Sequence, residues 1–211
     1  MAQIPQPALL EVAFGPNDAP ETDATTERIL DAALAEFLDF GLRRATVEDI
    51  TRRAGVGRMT VHRRFPSKRS LIEAVWLREI RRVLDEVRTV MARRRTLADK
   101  LVEGMAFGLR GLSENPLFTR LLETDREAMQ ASLTVDGGAL VAASTQFVAE
   151  QIRADGSGPK ARSADYAAEA ILRICHSILL TPRSRRDLTD GRELRAFLRA
   201  AITPLVASRE S

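Results

Sequence analysis

Between Thr46 and Val75 the chain reads TVEDITRRAGVGRMTVHRRFPSKRSLIEAV, and this stretch constrains the fold more than any other. It holds two short helical patterns with only a glycine-bearing turn between them. Thr46 can cap the first by accepting a hydrogen bond from a free amide of the opening turn, with Glu48 and Asp49 favourably placed at its positive end. Ile50 and Ala54 supply its buried side and Gly55 ends it, at a point where the backbone must take an angle that glycine adopts without a clash. The second helix runs from about Arg58 to Phe65, buries Val61 and Phe65, and stops because Pro66 cannot continue the ladder. Two helices packed across so tight a turn hold the second rigidly while its outer face stays free to enter the major groove of a duplex. Ile50, Ala54, Val56, Val61 and Phe65 form the small core of this unit, which leaves Arg58, Met59, His62 and Arg63 facing outward.

The charge pattern agrees with such a partner. From Arg43 to Arg69 the basic residues are Arg43, Arg44, Arg52, Arg53, Arg58, Arg63, Arg64, Lys68 and Arg69, against only Glu48 and Asp49. Before Asp23 the charged side chains are all acidic. The net charge of +3 conceals this concentration, which points to a polyanionic partner, although a solvated charged face has the same appearance. Arginine suits nucleic acid because it neutralises phosphates and also binds guanine edges through paired hydrogen bonds.

The rest of the chain reads as helix throughout, an all-α class with an N-terminal three-helix DNA-binding part and a larger helical part. Residues 1–24, rich in proline, are expected to be a flexible arm. Thr25 or Thr26 offers an N-cap to a first helix that carries Ile29, Ala33, Phe37 and Phe40 and closes at Gly41. The expected division is an arm over 1–24, a helix-turn-helix domain over 25–70, and a larger helical domain over 71–211. A fourth, long helix starts at Ser67. Further helices are expected over about 97–112, 117–123, 127–133, 138–155, 164–180 and 193–208, separated by SENP, VDGG, DGSGPKARS and TPRSRRDLTDG. The amino terminus lacks a basic segment before an apolar one, and no apolar run approaches the length that spans a bilayer, so a cytoplasmic protein without membrane contact is expected.

Over Thr25 to Val75 the elements ILDAALAEF, ATVEDI, RAGV and FPSKRSL, in that order, closely resemble the DNA-binding domain of the TetR family of transcriptional regulators. Matched position by position, the resemblance implies base contacts from Arg58, Met59 and His62. It implies phosphate contacts from Thr46, Thr60, Arg63 and Lys68, with Arg44 as a further candidate. The sequence departs from the usual pattern at three places: His62 where tyrosine is common, Gly57 where a capping serine is common, and Thr51 where a small alanine usually packs. The family implies a homodimer on an inverted-repeat operator in double-stranded DNA, and a small-molecule effector whose identity the sequence does not give.

Outside the motif the residues are less specific. Trp76, Gly104, Phe107, Gly108, Phe118, Leu121 and Phe147 are candidates for an effector site, but the same residues equally make an ordinary core. Gly104, Gly108 and Gly111 lie at helical spacing, which opens space for a ligand or, as preferred here, lets a second helix approach closely. Tyr166, Ala170, Ile171, Ile174 and Ile178, with Phe197, Leu198, Ala201, Ile202 and Leu205, supply apolar surface for a four-helix dimer interface. Cys175 reads as a buried structural thiol, because its neighbour His176 points about 100° away on a helix and the other histidine lies in the DNA-binding part. No nucleophile motif, phosphate loop, carboxylate pair or cofactor signature is present, so neither an enzyme nor a bound cofactor is expected. The reading is a ligand-released repressor. Its rival is a helical ligand-binding or assembly protein whose basic segment meets an acidic protein or membrane surface.

Overall fold

The computed structural model describes residues 14, 23–124, 126–159 and 161–207. The arm expected over residues 1–24 lies, apart from residues 14, 23 and 24, outside them. Ten α-helices make up the described residues: α1 Ala24–Arg44, α2 Val47–Ala54, α3 Arg58–Arg64, α4 Lys68–Ala92, α5 Leu97–Glu114, α6 Pro116–Thr124, α7 Arg126–Leu133, α8 Gly138–Asp155, α9 Ala161–Leu180 and α10 Gly191–Val206. Among these residues the β-structure is one isolated bridge, Arg183 to Asp187, and the class is all-α.

Local chemistry sets the boundaries. Thr25 and Thr26 are not the cap of α1. Asp23 is: its Oδ1 accepts the amides of both threonines at 2.9 Å, and its negative charge complements the helix dipole better than a hydroxyl does. Gly41, at φ 75°, breaks α1 where closure was expected, and one more turn follows before Ala45. Thr46 caps α2 by accepting the Asp49 amide at 3.1 Å. Gly55 ends α2 in the left-handed region at φ 63°, with its amide donating to the Arg52 carbonyl and the Val56 amide to the Thr51 carbonyl, the paired bonds of a Schellman stop. Gly57 caps α3 without a side-chain bond. Ser67 and Ser70 cap α4 reciprocally, each hydroxyl accepting the other's amide at 3.0–3.1 Å.

The chain forms two compact units. The first holds the described residues up to Ile80 together with 115–136, so α6 and α7 join the N-terminal helices. Its core is Ile29, Ala33, Phe37, Ile50, Val61, Leu71, Val75, Leu117 and Leu121, each at most 2% exposed. Glu36 is buried among them and is matched by Arg53, whose Nε lies 3.0 Å from its carboxylate. The second unit takes in 81–114 and the described residues from 137 onward. There α8 packs along α9, and α10 lies on α5 with Arg195 bonded to Glu103 and Arg199 to Asp99. Leu101, Ile152, Ile171, Leu198 and Ile202 are the largest of its fully buried side chains.

Candidate nucleic-acid interface

The helix-turn-helix pair α2–α3 stands on α1. Val61 and Phe65 anchor α3 to the core, while Arg58, Met59, His62 and Arg63 are exposed, Met59 at 76%. The alternation follows from a helix of two turns with one buried stripe. Of the sequence-predicted core, Ile50, Ala54, Val61 and Phe65 are buried and Val56 is half-buried. An exposed methionine on a basic helix carries an apolar surface into solvent, which suits a thymine methyl as a contact.

The structure divides the basic residues of this segment into two groups. Arg53 is held by Glu36 and Asp39, Arg52 by Asp49, Arg69 by Glu73, and Arg64 by Asp23 and Thr26. Among the described residues Arg44, Arg58 and Arg63 have no carboxylate partner, and Arg58 and Arg63 share the exposed side of α3. For Arg53 and Arg64 the division was not legible in the sequence, because it depends on which arginines reach the carboxylates of α1 and its cap, whereas Arg52–Asp49 and Arg69–Glu73 are neighbours within one helix.

The predicted phosphate contacts sit in different environments. Thr46 is exposed, but its hydroxyl both accepts the Asp49 amide and donates to the Asp49 carboxylate; this bond, followed by Arg52, holds the Asp49 carboxyl below its usual range. Thr60 is half-buried, on the turn that Gly57 caps. Lys68 is half-buried at the start of α4, and its ammonium donates to the Arg43 carbonyl at 3.1 Å. Burial lowers its pKa.

The effector candidates divide between the units. In the first, Trp76, Phe118 and Leu121 are buried, and the Trp76 indole N–H has no hydrogen-bond partner among the described residues. In the second, Gly104 is buried, Phe107 and Gly108 are half-buried, and Phe147 lies under Arg88, whose guanidinium carbon is 5.0 Å from the ring centroid. The glycine stripe packs on α4: a β-carbon at Gly104 would meet Met91, and ones at Gly108 and Gly111 would touch Val87 and Val83. The close-approach reading therefore holds for Gly104. Cys175 is 5% exposed, and burial pushes its thiol pKa up to about 12. Four of the ten apolar residues expected at a dimer interface serve the chain's own core, namely Ile171, Ile178, Leu198 and Ile202, whereas Tyr166 and Phe197 are exposed. No helix among the described residues is long and apolar enough to cross a membrane.

Comparison with known proteins gives the same outline. Residues 29–75 match the family model described as bacterial regulatory proteins, tetR family, and residues 97–199 match that of the bacterial tetracyclin repressor C-terminal domain. An uncharacterised HTH-type transcriptional regulator of Mycobacterium bovis is 44% identical over 71 residues, which are 34% of this chain and 36% of that relative's length. Another, from Mycobacterium tuberculosis, is 27% identical over 192 residues, 90% of this chain and 91% of the relative. Among solved structures, the TetR family repressor AlkX from a Dietzia strain shares the fold, with a TM-score of 0.58 at 21% identity over 88% of this chain and all of that one.

Proposed function

Because the chain belongs to the TetR family of bacterial transcriptional regulators, with a helix-turn-helix DNA-binding domain, we propose that it is a repressor that binds a palindromic operator as a homodimer and is released by a small molecule. The observation that carries the reading is the exposed side of α3, where Arg58, Met59, His62 and Arg63 stand together on a helix short enough to fit a major groove. Arg58 reads a base edge, assisted by Met59 and His62. Arg63, Lys68, Thr46 and Thr60 grip phosphates and set the register.

A two-fold dimer presents two such helices, and its operator is then an inverted repeat. The exposed apolar side chains of α9 and α10, Tyr166 and Phe197, support an interface there. The protein works in the cytoplasm, beside its DNA. The indole N–H of Trp76, unpartnered among the described residues, supports an effector with an apolar body and one hydrogen-bond acceptor, since a buried donor left unsatisfied destabilises by about 1–3 kcal/mol that a bound acceptor recovers. An effector that lowers operator affinity 100-fold must prefer the DNA-incompetent form by about 2.7 kcal/mol.

Selection of bound fragments from random duplex DNA by the purified protein tests this. A recovered two-fold symmetric site, bound far more tightly than scrambled duplex and with steep salt dependence, is expected. Equal binding to any polyanion would instead favour a helical assembly protein with a non-specific basic face.

A further inference from the structure

Arg64 closes the recognition helix, yet it does not share the outward direction of its neighbours His62 and Arg63. Its Nε donates to Thr26 Oγ1 at 3.0 Å and its Nη2 to Asp23 Oδ2 at 2.9 Å, and the side chain is only 24% exposed. The other oxygen of Asp23 is taken by the amides of Thr25 and Thr26 at the start of α1. One carboxylate therefore joins the free amides of α1 to the last turn of α3. Val61 and Phe65 anchor α3 through apolar burial, and its first turn has no side-chain cap. Apolar contacts are non-directional and fix how deep a helix sits, whereas a planar fork bonded at two points fixes its rotation and tilt. Base readout by Arg58 tolerates a misplacement of only about 0.5 Å or 10–20°.

We infer that Arg64 is a positioning residue for sequence readout: bonded to Asp23 and Thr26, it sets the angle at which α3 presents Arg58, Met59 and His62, without touching DNA itself. The inference rests on the sequence-specific DNA binding proposed above. It separates Arg64 from the phosphate-binding arginines with which its place in the sequence would group it.

The test compares affinity for the duplex selected by the wild-type protein with affinity for a scrambled duplex of equal length. Arg64→Gln and Asp23→Asn, the latter keeping an N-cap, are each expected to lower the selected-to-scrambled ratio about 5- to 10-fold, with scrambled binding and salt slope unchanged. The double variant should lose no more than Arg64→Gln alone, because that substitution already removes the bond to Asp23. Arg64→Lys retains charge and one donor but not the fork; it should behave like Arg64→Gln in the ratio, and it keeps the test decisive if the glutamine variant fails to fold. Uniform weakening on both duplexes with a flatter salt slope would make Arg64 a phosphate contact and overturn the inference. Additive losses, or full rescue by lysine, would overturn it as well. An unchanged ratio in Arg64→Gln overturns the inference alone, whereas a wild-type protein that cannot distinguish the two duplexes overturns the functional reading and the inference with it.

Discussion

Met91 packs against Gly104 where a side chain would otherwise stand: a β-carbon on Gly104 would lie 2.6 Å from Met91 Cγ and 2.8 Å from its Sδ. Helices α4 and α5 meet through the missing side chain. Gly108, one turn along, is less tight, its β-carbon falling 3.5 Å from Val87 Cγ2. Alanine in place of helical glycine gains roughly 0.5–1 kcal/mol, and overpacking costs roughly 1–3 kcal/mol. Gly108→Ala is therefore expected to raise the urea midpoint and Gly104→Ala to lower it. If both raise it, Met91 gives way freely and glycine is not what sets the approach.

Arg58 and Lys68 should separate readout from positioning on the phosphates. Arg58→Ala is expected to weaken operator binding by about 1–3 kcal/mol and to relax preference at one base pair in each half-site. Lys68→Ala, which removes the ammonium now bonded to the Arg43 carbonyl, should weaken all duplexes nearly alike and reduce the salt slope by about one. Binding titrations on selected and scrambled duplexes at several salt concentrations decide the matter. A uniform loss for Arg58→Ala would reassign it to the backbone.

Acid should weaken the link between α1 and α3 in a defined window. The Arg64 bond, followed by the Thr26 amide, lowers the Asp23 pKa from 3.8 to about 2. A depressed carboxylate pKa means stability that is present above the unfolded value and lost as the folded group takes up its proton. The stability difference between wild type and Asp23→Asn should hold above about pH 4 and shrink between about pH 4 and 2. Denaturant titrations across that range measure it; a difference independent of pH would show that the charge of Asp23 is immaterial.

Cys175 should resist alkylation in the folded protein. With its pKa pushed up to about 12 and 5% of its surface exposed, little thiolate is present at pH 8 and little of it is reachable. Labelling followed by mass spectrometry should be slow in buffer and fast in denaturant. Rapid labelling of the native protein would mean that α9 opens readily.

Tyr166→Glu combined with Phe197→Glu tests the proposed dimer surface without cutting into the core, since both side chains are exposed at 67% and 37%. Sedimentation should show monomers with unchanged helix content. Operator affinity should fall steeply, because the two half-site contacts are no longer linked. Dimers that persist would place the interface elsewhere.

What the sequence determined by itself was set over short distances. Period, caps and breakers act within a turn or two, so Thr46, Gly55 and Pro66 marked the ends of α2 and α3, and the burial stripe of Ile50, Val61 and Phe65 left Arg58, Met59, His62 and Arg63 outward. The all-α class followed from the same periodicity. The cap of α1 was misread because Asp23, Thr25 and Thr26 all offer capping oxygens, and the carboxylate prevails by holding two amides at once. Tertiary structure alone decided what depends on groups far apart in the chain. It brought α6 and α7 to the N-terminal helices, paired Arg64 with Asp23 and Arg53 with Glu36, seated Met91 against Gly104, and left the Trp76 indole without an acceptor among the described residues. An arginine looks the same in a sequence whether it faces solvent or a carboxylate on another helix. Its partner is chosen by packing, because the direction and distance of a side chain's neighbours exist only after the helices have met.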